Sequence, residues 1–495
     1  MIESVHHPSA DLVLAAYNGR YTHTSLGVRW LLANLGDDPP ATAWHEFDLR
    51  VPAADAAHQI LAHRPRLVAL GVYIWNAQRI TQLMRQLRTQ RPKLLILLGG
   101  PEVSAAPDTF SGIDLADLVL TGEAEAIFGE WCRLLLAGHQ PVHKVVAAPA
   151  PDLAKLKLPY YLYSEHDLQT RHIYVETTRG CPHRCDFCVS GCADGIRTFP
   201  LDPTIQALKD LARRGARTLR LVDRTFNARP GRGARLLHAL RPWAAHGLRL
   251  HLEFTPQIRY REDLQAALCA WPPGVLHIEL GVQTFNPAVA RRVRRPGVEQ
   301  EAAALDFLLH TARAEVHADL IAGLPGEDWA SIAESFDRLI AHQPHELQFG
   351  ILKNLPGTAL ERHRSEWGLT FDPHPPYSLQ SSRTLSPGAV TRLKRFAAYW
   401  DRLGNRRTFP KTLSIILRGH RSPFAAFMHC CDWLFAGFGR THHLDLADLC
   451  TALYAYLTVE LRHPPAQVRA ALVTDFLADG RRPQRALPPC LRPPA

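Results

Sequence analysis

Three cysteines carry the most specific spacing in the chain. Cys181, Cys185 and Cys188 form C-x3-C-x2-C within ETTRGCPHRCDFC (176–188), directly after a run that reads as a strand. Thiolates are the ligands expected for iron–sulfur clusters. Three of them on one loop can hold three irons of a four-iron cubane and leave the fourth iron an open position where a substrate coordinates. The competing chemistry is a structural zinc site, which wants four ligands, the fourth coming from Cys192 or His183. Ten cysteines in 495 residues, only three of them tightly spaced, point to reduced thiols rather than a disulfide framework.

The elements that must position this loop follow a βα rhythm. LVLAAY (12–17), LVALGVY (67–73), LLILLGG (94–100) and DLVLTG (117–122) read as buried parallel strands, with helical patterns near 25–35, 53–63 and 76–90 between them. A doubly wound (Rossmann-like) parallel sheet over residues 1–147 follows, with ligands expected beyond the carboxyl ends of its strands. The linker APAPDLAKLKLP (148–159) ends that unit. A second series then begins over 165–370: IYVETT (173–178), TLRLVD (218–223), LRLHLEF (248–254), LHIELGVQ (276–283), VHADLIAGLP (316–325) and ELQFGILK (346–353). Six such units predict a partial (β/α)6 barrel with its chemistry at the carboxyl ends of the strands. Residues 371–480 read as a mainly helical C-terminal domain, and the proline-rich stretch 481–495 as a disordered tail.

The cysteine motif, with the aromatic Phe187 before its third cysteine, resembles that of the radical S-adenosylmethionine (SAM) superfamily. The resemblance implies a 4Fe–4S cluster whose open iron binds SAM and whose electron releases a 5′-deoxyadenosyl radical. It further implies that Glu253 in HLEF contacts the adenosyl ribose. Glu253 alternates in phase with His251 and Thr255, so all three can point to one face. GVQTFNPAVARRVRR (281–295) and DLIAGLPGE (319–327) resemble the coproporphyrinogen-dehydrogenase-like branch. That likeness implies cofactor contacts from Gln283, from Arg295 to the SAM carboxylate, and from Asp319 with Ile321 on the adenine side; Arg294 is a neighbouring candidate. Asp223 in LVDRTFN stands where the superfamily contacts the methionyl amino group. Ligand contact, substrate contact and helix cap all remain open for it.

YNGRYTHTSLGVRWL, VYIWN, LGGPEVS, TGEAE, VDRTFN and ELGVQTFN are similar to segments of radical SAM proteins that carry a cobalamin-binding domain and a C-terminal domain of unknown function. This implies cobalamin held by the loops Asn18, Tyr21, Thr24 and Ser25; Tyr73 and Asn76; Gly99, Gly100 and Glu102; and Gly122 with Glu123. The D-x-H-x-x-G histidine that ligates cobalt from below is absent, and His23 reads as a polar loop residue. A sheet that only caps the barrel is the competing expectation.

No stretch reaches the roughly 18 apolar residues of a membrane span, and no secretory pattern opens the sequence, so a cytoplasmic enzyme is expected. A formal charge of +10 admits a nucleic-acid partner, yet the arginines are scattered and only RRVRR (291–295) forms a run. Three functions are therefore carried forward. The first is a cobalamin-dependent radical SAM methyltransferase acting on an unactivated carbon of a small molecule, with an electron donor such as flavodoxin or ferredoxin. The second is a radical SAM enzyme that modifies RNA without cobalamin. The third is a non-catalytic iron–sulfur or zinc protein, which would need none of Glu253, Gln283, Arg295 and Asp319. The histidines His251, His277 and His317 are candidates for the barrel lining.

Overall fold

The computed structural model describes residues 9–192, 195–256, 262–296, 300–478 and 486–492, except the side chain of Cys192. Strands β1 (Leu12–Asn18), β2 (Thr42–Asp48), β3 (Leu67–Gly71), β4 (Leu95–Gly99), β5 (Leu118–Thr121) and β6 (Val145–Ala147) form one parallel sheet in the order β2-β1-β3-β4-β5-β6. The continuous apolar runs seen in the sequence are buried on both faces: Val13, Ala15 and Tyr17 pack into one core and Leu12, Leu14 and Ala16 into the other. The order reverses between β1 and β3, which opens a crevice at their carboxyl ends. β2 and β6 were not expected from the sequence. Thr42–Asp48 mixes buried and half-exposed positions because it is an edge strand, and edge strands need no continuous apolar run.

The second sheet contains β7 (Ile173–Val175), β10 (Thr218–Leu221), β11 (Arg249–Phe254), β12 (Leu276–Gln283), β13 (Glu315–Ala322) and β14 (Glu346–Ile351), parallel and in chain order. A short antiparallel pair, β8 (Thr178–Gly180) and β9 (Ile196–Thr198), is inserted after β7 and brackets the cysteine loop. Burial alternates strictly along β12, with Leu276, Ile278, Leu280 and Val282 buried against helices. The opposite, inner face carries His277, Glu279, Gly281 and Gln283.

After β14 come the antiparallel pair β15 (Thr370–Phe371) and β16 (Leu379–Ser381), then five main helices, Pro387–Trp400, Pro410–Leu417, Pro423–Phe438, Leu446–Ala455 and Pro465–Leu477. Ser386 and Ser422 each precede a proline and accept a hydrogen bond from the backbone three residues on. Serine at the cap with proline in the first turn is a strong start for a helix. These helices share one core with the barrel: Phe396 lies 4.8 Å from Phe349 and 4.8 Å from Phe424, ring centre to centre. The expected disordered tail is corrected for residues 486–492, where Leu487 and Leu491 are buried in that same core. Residues 481–485 and 493–495 lie outside the described residues. Among the described residues no helix is long and apolar enough to cross a membrane.

Candidate functional site

The loop between β8 and β9 brings Cys181, Cys185 and Cys188 together as free thiols, Cys185 buried and the others partly so. Thr225, at the end of β10, lies 3.4 Å from the Cys181 sulfur. Between the cysteines, Asp186 is fully buried and acts as an anchor. Its carboxylate accepts from Arg294 Nε (2.6 Å), from His363 (2.8 Å) and from Arg362, while its backbone N–H donates to Val293. Phe187 packs against the barrel core. Three unpaired thiols on one restrained loop fit the donor set of three cluster irons. Of the two candidate fourth zinc ligands, Cys192 has a side chain outside the described residues, and His183 Nε2 is buried without a hydrogen-bond partner among the described residues.

Most of the remaining expected SAM contacts lie in the carboxyl-end halves of the barrel strands or just beyond them. Glu253 lies on the inner face of β11, 3.6 Å from Arg224 Nη1. Burial raises its carboxyl to about 7; Arg224 opposes this, and the charges of Glu279, Asp319 and Asp223 add to it. The chain irregularity between Gly281 and Gln283 places Gln283 at φ 74°, in the left-handed region at the end of β12. Arg295 is buried, donates to the Gly281 carbonyl and lies beside Cys185. Arg294, with its side chain 43% exposed, is instead paired with Asp186. The two neighbouring arginines thus separate, and only Arg295 turns toward the strand end. Asp319 sits on the inner face of β13, with its carboxylate 3.1 Å from His317 Nε2 and Ile321 two residues further along.

Asp223 lies just beyond the end of β10. Its buried carboxylate accepts from the Thr177 backbone (2.6 Å) and from the Thr177 hydroxyl, clamping the end of β7 to that of β10. Burial raises its pKa and the threonine bonds lower it. Each carboxylate oxygen accepts one of these two hydrogen bonds.

A cavity of about 860 Å³ opens at the crevice of the first sheet. Of the residues expected there, Asn18, Thr24, Ser25, Tyr73, Gly99, Gly100, Gly122 and Glu123 line it. Gly100 has φ 107°, and a Cβ there would sit 2.5 Å from the Val72 carbonyl, so only glycine fits. Three expected residues are elsewhere. Asn76 is fully buried and bonds to the Tyr17 and Gly71 carbonyls, shaping the loop after β3. Glu102 accepts a hydrogen bond from Tyr377 of the C-terminal region. Tyr21 reaches outward to His166 at 2.5 Å. His23 lines the cavity, but its Nδ1 is held by the Tyr174 hydroxyl at 2.5 Å.

The far wall of the cavity belongs to the barrel: Tyr174, Glu176, Arg179 and Val222. Arg179, two residues before Cys181, bonds to Glu123 (2.6 Å) and Glu125 (2.6 Å) of the first unit and to Glu176 (2.8 Å) of its own. Burial raises Glu176 to about 7, and Arg179 opposes the rise. Sequence reasoning missed Arg179, Glu125 and Glu176: the Arg179–Glu125 pair spans 54 residues and has no spacing pattern, and Glu176 joins it from only three residues away. Size, glycine-lined walls and the position beyond the strand ends fit a large planar cofactor such as a corrin.

Family models agree with this division of the chain. The B12 binding domain matches residues 13–131, the radical SAM superfamily matches 175–339, and a family described as a protein of unknown function (DUF4080) matches 365–493. The chain is 25% identical over 356 residues to 2-(S-pantetheinyl)-carbapenam-3-carboxylate methyltransferase of Streptantibioticus cattleyicolor, covering 64% of this chain and 52% of that one. It is also 25% identical to the cobalamin-dependent radical SAM methyltransferase TokK of Streptomyces tokunonensis, covering 62% and 50%. The chain thus spans about half the length of the curated relatives it matches. Among solved structures, the methyltransferase TsrM from Kitasatospora setae superposes with a TM-score of 0.61 at 18% identity, over 72% of this chain and 76% of that one, and so shares the fold. With a sheet matching the B12 binding domain set against a barrel that carries the three-cysteine loop, the chain joins a B12 binding domain, a radical SAM superfamily domain and a C-terminal domain of unknown function.

Proposed function

We propose that this protein is a cobalamin-dependent radical SAM methyltransferase acting on an unactivated carbon of a small molecule. The observation that carries the reading is the shared wall. The cavity at the cobalamin-binding sheet is closed by Tyr174, Glu176 and Arg179 of the barrel, and Arg179 is two residues from the first cluster cysteine. When bound, the cluster and SAM supply a radical that removes a hydrogen atom, and cobalamin supplies the methyl group.

The chain's own residues do the positioning. Cys181, Cys185 and Cys188 hold the cluster, and Asp186 holds their loop against Arg294, Arg362 and His363. Glu253, Gln283, Arg295, Asp319 and Ile321 take SAM, with Arg295 as the charge that meets its carboxylate. The glycines at 99, 100 and 122 let backbone approach the corrin closely. Reduced thiolates suit a cytoplasmic setting, and a flavodoxin- or ferredoxin-like donor supplies the electrons. RNA modification without cobalamin is the weaker alternative, because it leaves the cavity without an occupant.

The test is product analysis of the reduced, cobalamin-loaded enzyme given SAM. Without substrate it should release about one equivalent of S-adenosylhomocysteine per chain, with slow uncoupled 5′-deoxyadenosine, since SAM serves both as methyl and as radical source. Formation of 5′-deoxyadenosine alone, from protein shown to contain cobalamin, would overturn the methyltransferase reading.

A further inference from the structure

Deeper on the inner face of the barrel sheet, three side chains step across adjacent strands: His277 on β12, His317 on β13 and Glu346 on β14. The register sets His277 opposite Glu315 and His317 opposite Glu346. One ligand atom from each of the three lies within 4.8 Å of the other two. None of these residues belongs to the cluster loop or to the expected SAM contacts.

The rings are held in place but not satisfied. His277 stacks on His251 with centres 4.5 Å apart, and His317 meets it edge-on at 6.2 Å. His317 is 7% exposed, and among the described residues both His277 Nε2 and His317 Nε2 are buried without a hydrogen-bond partner. His317 Nε2 lies 3.1 Å from the Asp319 carboxylate, an ion pair when the imidazole is protonated, though not aligned as a hydrogen bond. The other nitrogens fare no better: His277 Nδ1 is 3.8 Å from Glu315, and His317 Nδ1 is 3.8 Å from Glu346, both too long for a hydrogen bond. Buried polar atoms left unpaired cost stability.

We infer that His277, His317 and Glu346 form a second metal site, inside the barrel, for a divalent transition ion of the zinc class. Two imidazoles and one carboxylate are a donor set such ions prefer over hard cations. Zinc–nitrogen bonds of about 2.0–2.1 Å require the ligand atoms to draw closer than they stand here. Glu346, with its side chain 38% exposed, has room to swing inward. Glu315 and Asp319 beside the two histidines are the carboxylate neighbours that orient metal-bound imidazoles. Three protein ligands leave a coordination position for water or a substrate oxygen, which makes this a place to anchor a substrate within the barrel.

The full chain, with its cluster reconstituted, is equilibrated with micromolar Zn2+, desalted and analysed for zinc, iron and sulfide. The site predicts about one zinc per chain in addition to the cluster iron, and a rise in Tm on zinc addition. His317→Gln and Glu346→Gln should each weaken zinc retention by about tenfold or more and abolish the Tm rise, with iron and sulfide unchanged. His238→Gln, at an exposed position, should behave as the parent. If His317→Gln fails to hold its cluster, the part-exposed Glu346 variant decides the matter. Parent protein that retains no zinc, or variants that retain as much as the parent, would overturn the site. Iron and sulfide report the cluster separately, so either result leaves the proposed reaction to its own test.

Discussion

Arg29 on the first helix and Asp167, just before the barrel's first strand, meet at 2.9 Å with no solvent exposure on the arginine. Arg29 also bonds to Glu46 of β2 (3.1 Å), and Arg171 closes the square through Glu46 (2.7 Å) and Asp167 (2.8 Å). Arg171 further donates to the carbonyls of Tyr21 and His23, so the loop that edges the cavity hangs on this network. Removing one partner leaves a buried charge uncompensated. Asp167→Ala should cost about 3–5 kcal/mol in denaturant unfolding and lower cobalamin retention. Unchanged stability would show that solvent already screens the network.

Cluster loading separates the cysteines. Alanine at Cys181, Cys185 or Cys188 should remove bound iron and sulfide, while Cys192→Ala keeps the parent's content. Equal iron loss from the Cys192 variant would contradict a three-ligand cluster, because a fourth thiolate would close the iron that SAM needs.

The split between the two arginines sets a second comparison. Arg295→Ala and Glu253→Gln should weaken SAM binding about tenfold or more, measured by equilibrium binding with iron content intact. Arg294→Ala should instead lower cluster retention, since it releases Asp186. Loss of SAM affinity from Arg294→Ala with an intact cluster would exchange the two roles.

Glu301 provides a pH test. It is fully buried, neither carboxylate oxygen has a hydrogen-bond partner among the described residues, and burial raises its pKa to about 9 while Arg295 and Arg338 pull it down. A carboxyl raised on folding contributes its full stability below its ordinary pKa and loses it as pH rises toward the folded value. Glu301→Gln should therefore gain on the parent between about pH 4.5 and 9, by up to about 1.4 kcal/mol per pH unit. A difference that stays flat with pH would show that Glu301 is ionised in the folded protein.

These tests also mark what could be read before the structure. The cysteine loop was legible because its chemistry is local: three thiols within eight residues and a strand before them. One face of β11 was legible as well, through His251 and Glu253 alternating with the buried Leu250, Leu252 and Phe254. The anchor of the cluster loop was not. Asp186 meets Arg294 and His363, which lie 108 and 177 residues away, and no periodicity links them. Asn76, Glu102 and Tyr21 fell in the right loops, but a loop's position leaves open which way each side chain turns. For Asn76 that was decided by two carbonyls, those of Tyr17 and Gly71, that needed a donor.

One protein is expected to hold cobalamin and a radical SAM cluster across a shared wall. The most direct measurement is the absorption spectrum and metal content of anaerobically reconstituted protein, incubated with hydroxocobalamin and desalted. The account predicts about one corrinoid and about four irons per chain, with both sets of bands present. Protein that keeps its four irons and passes through the column free of corrinoid would contradict it.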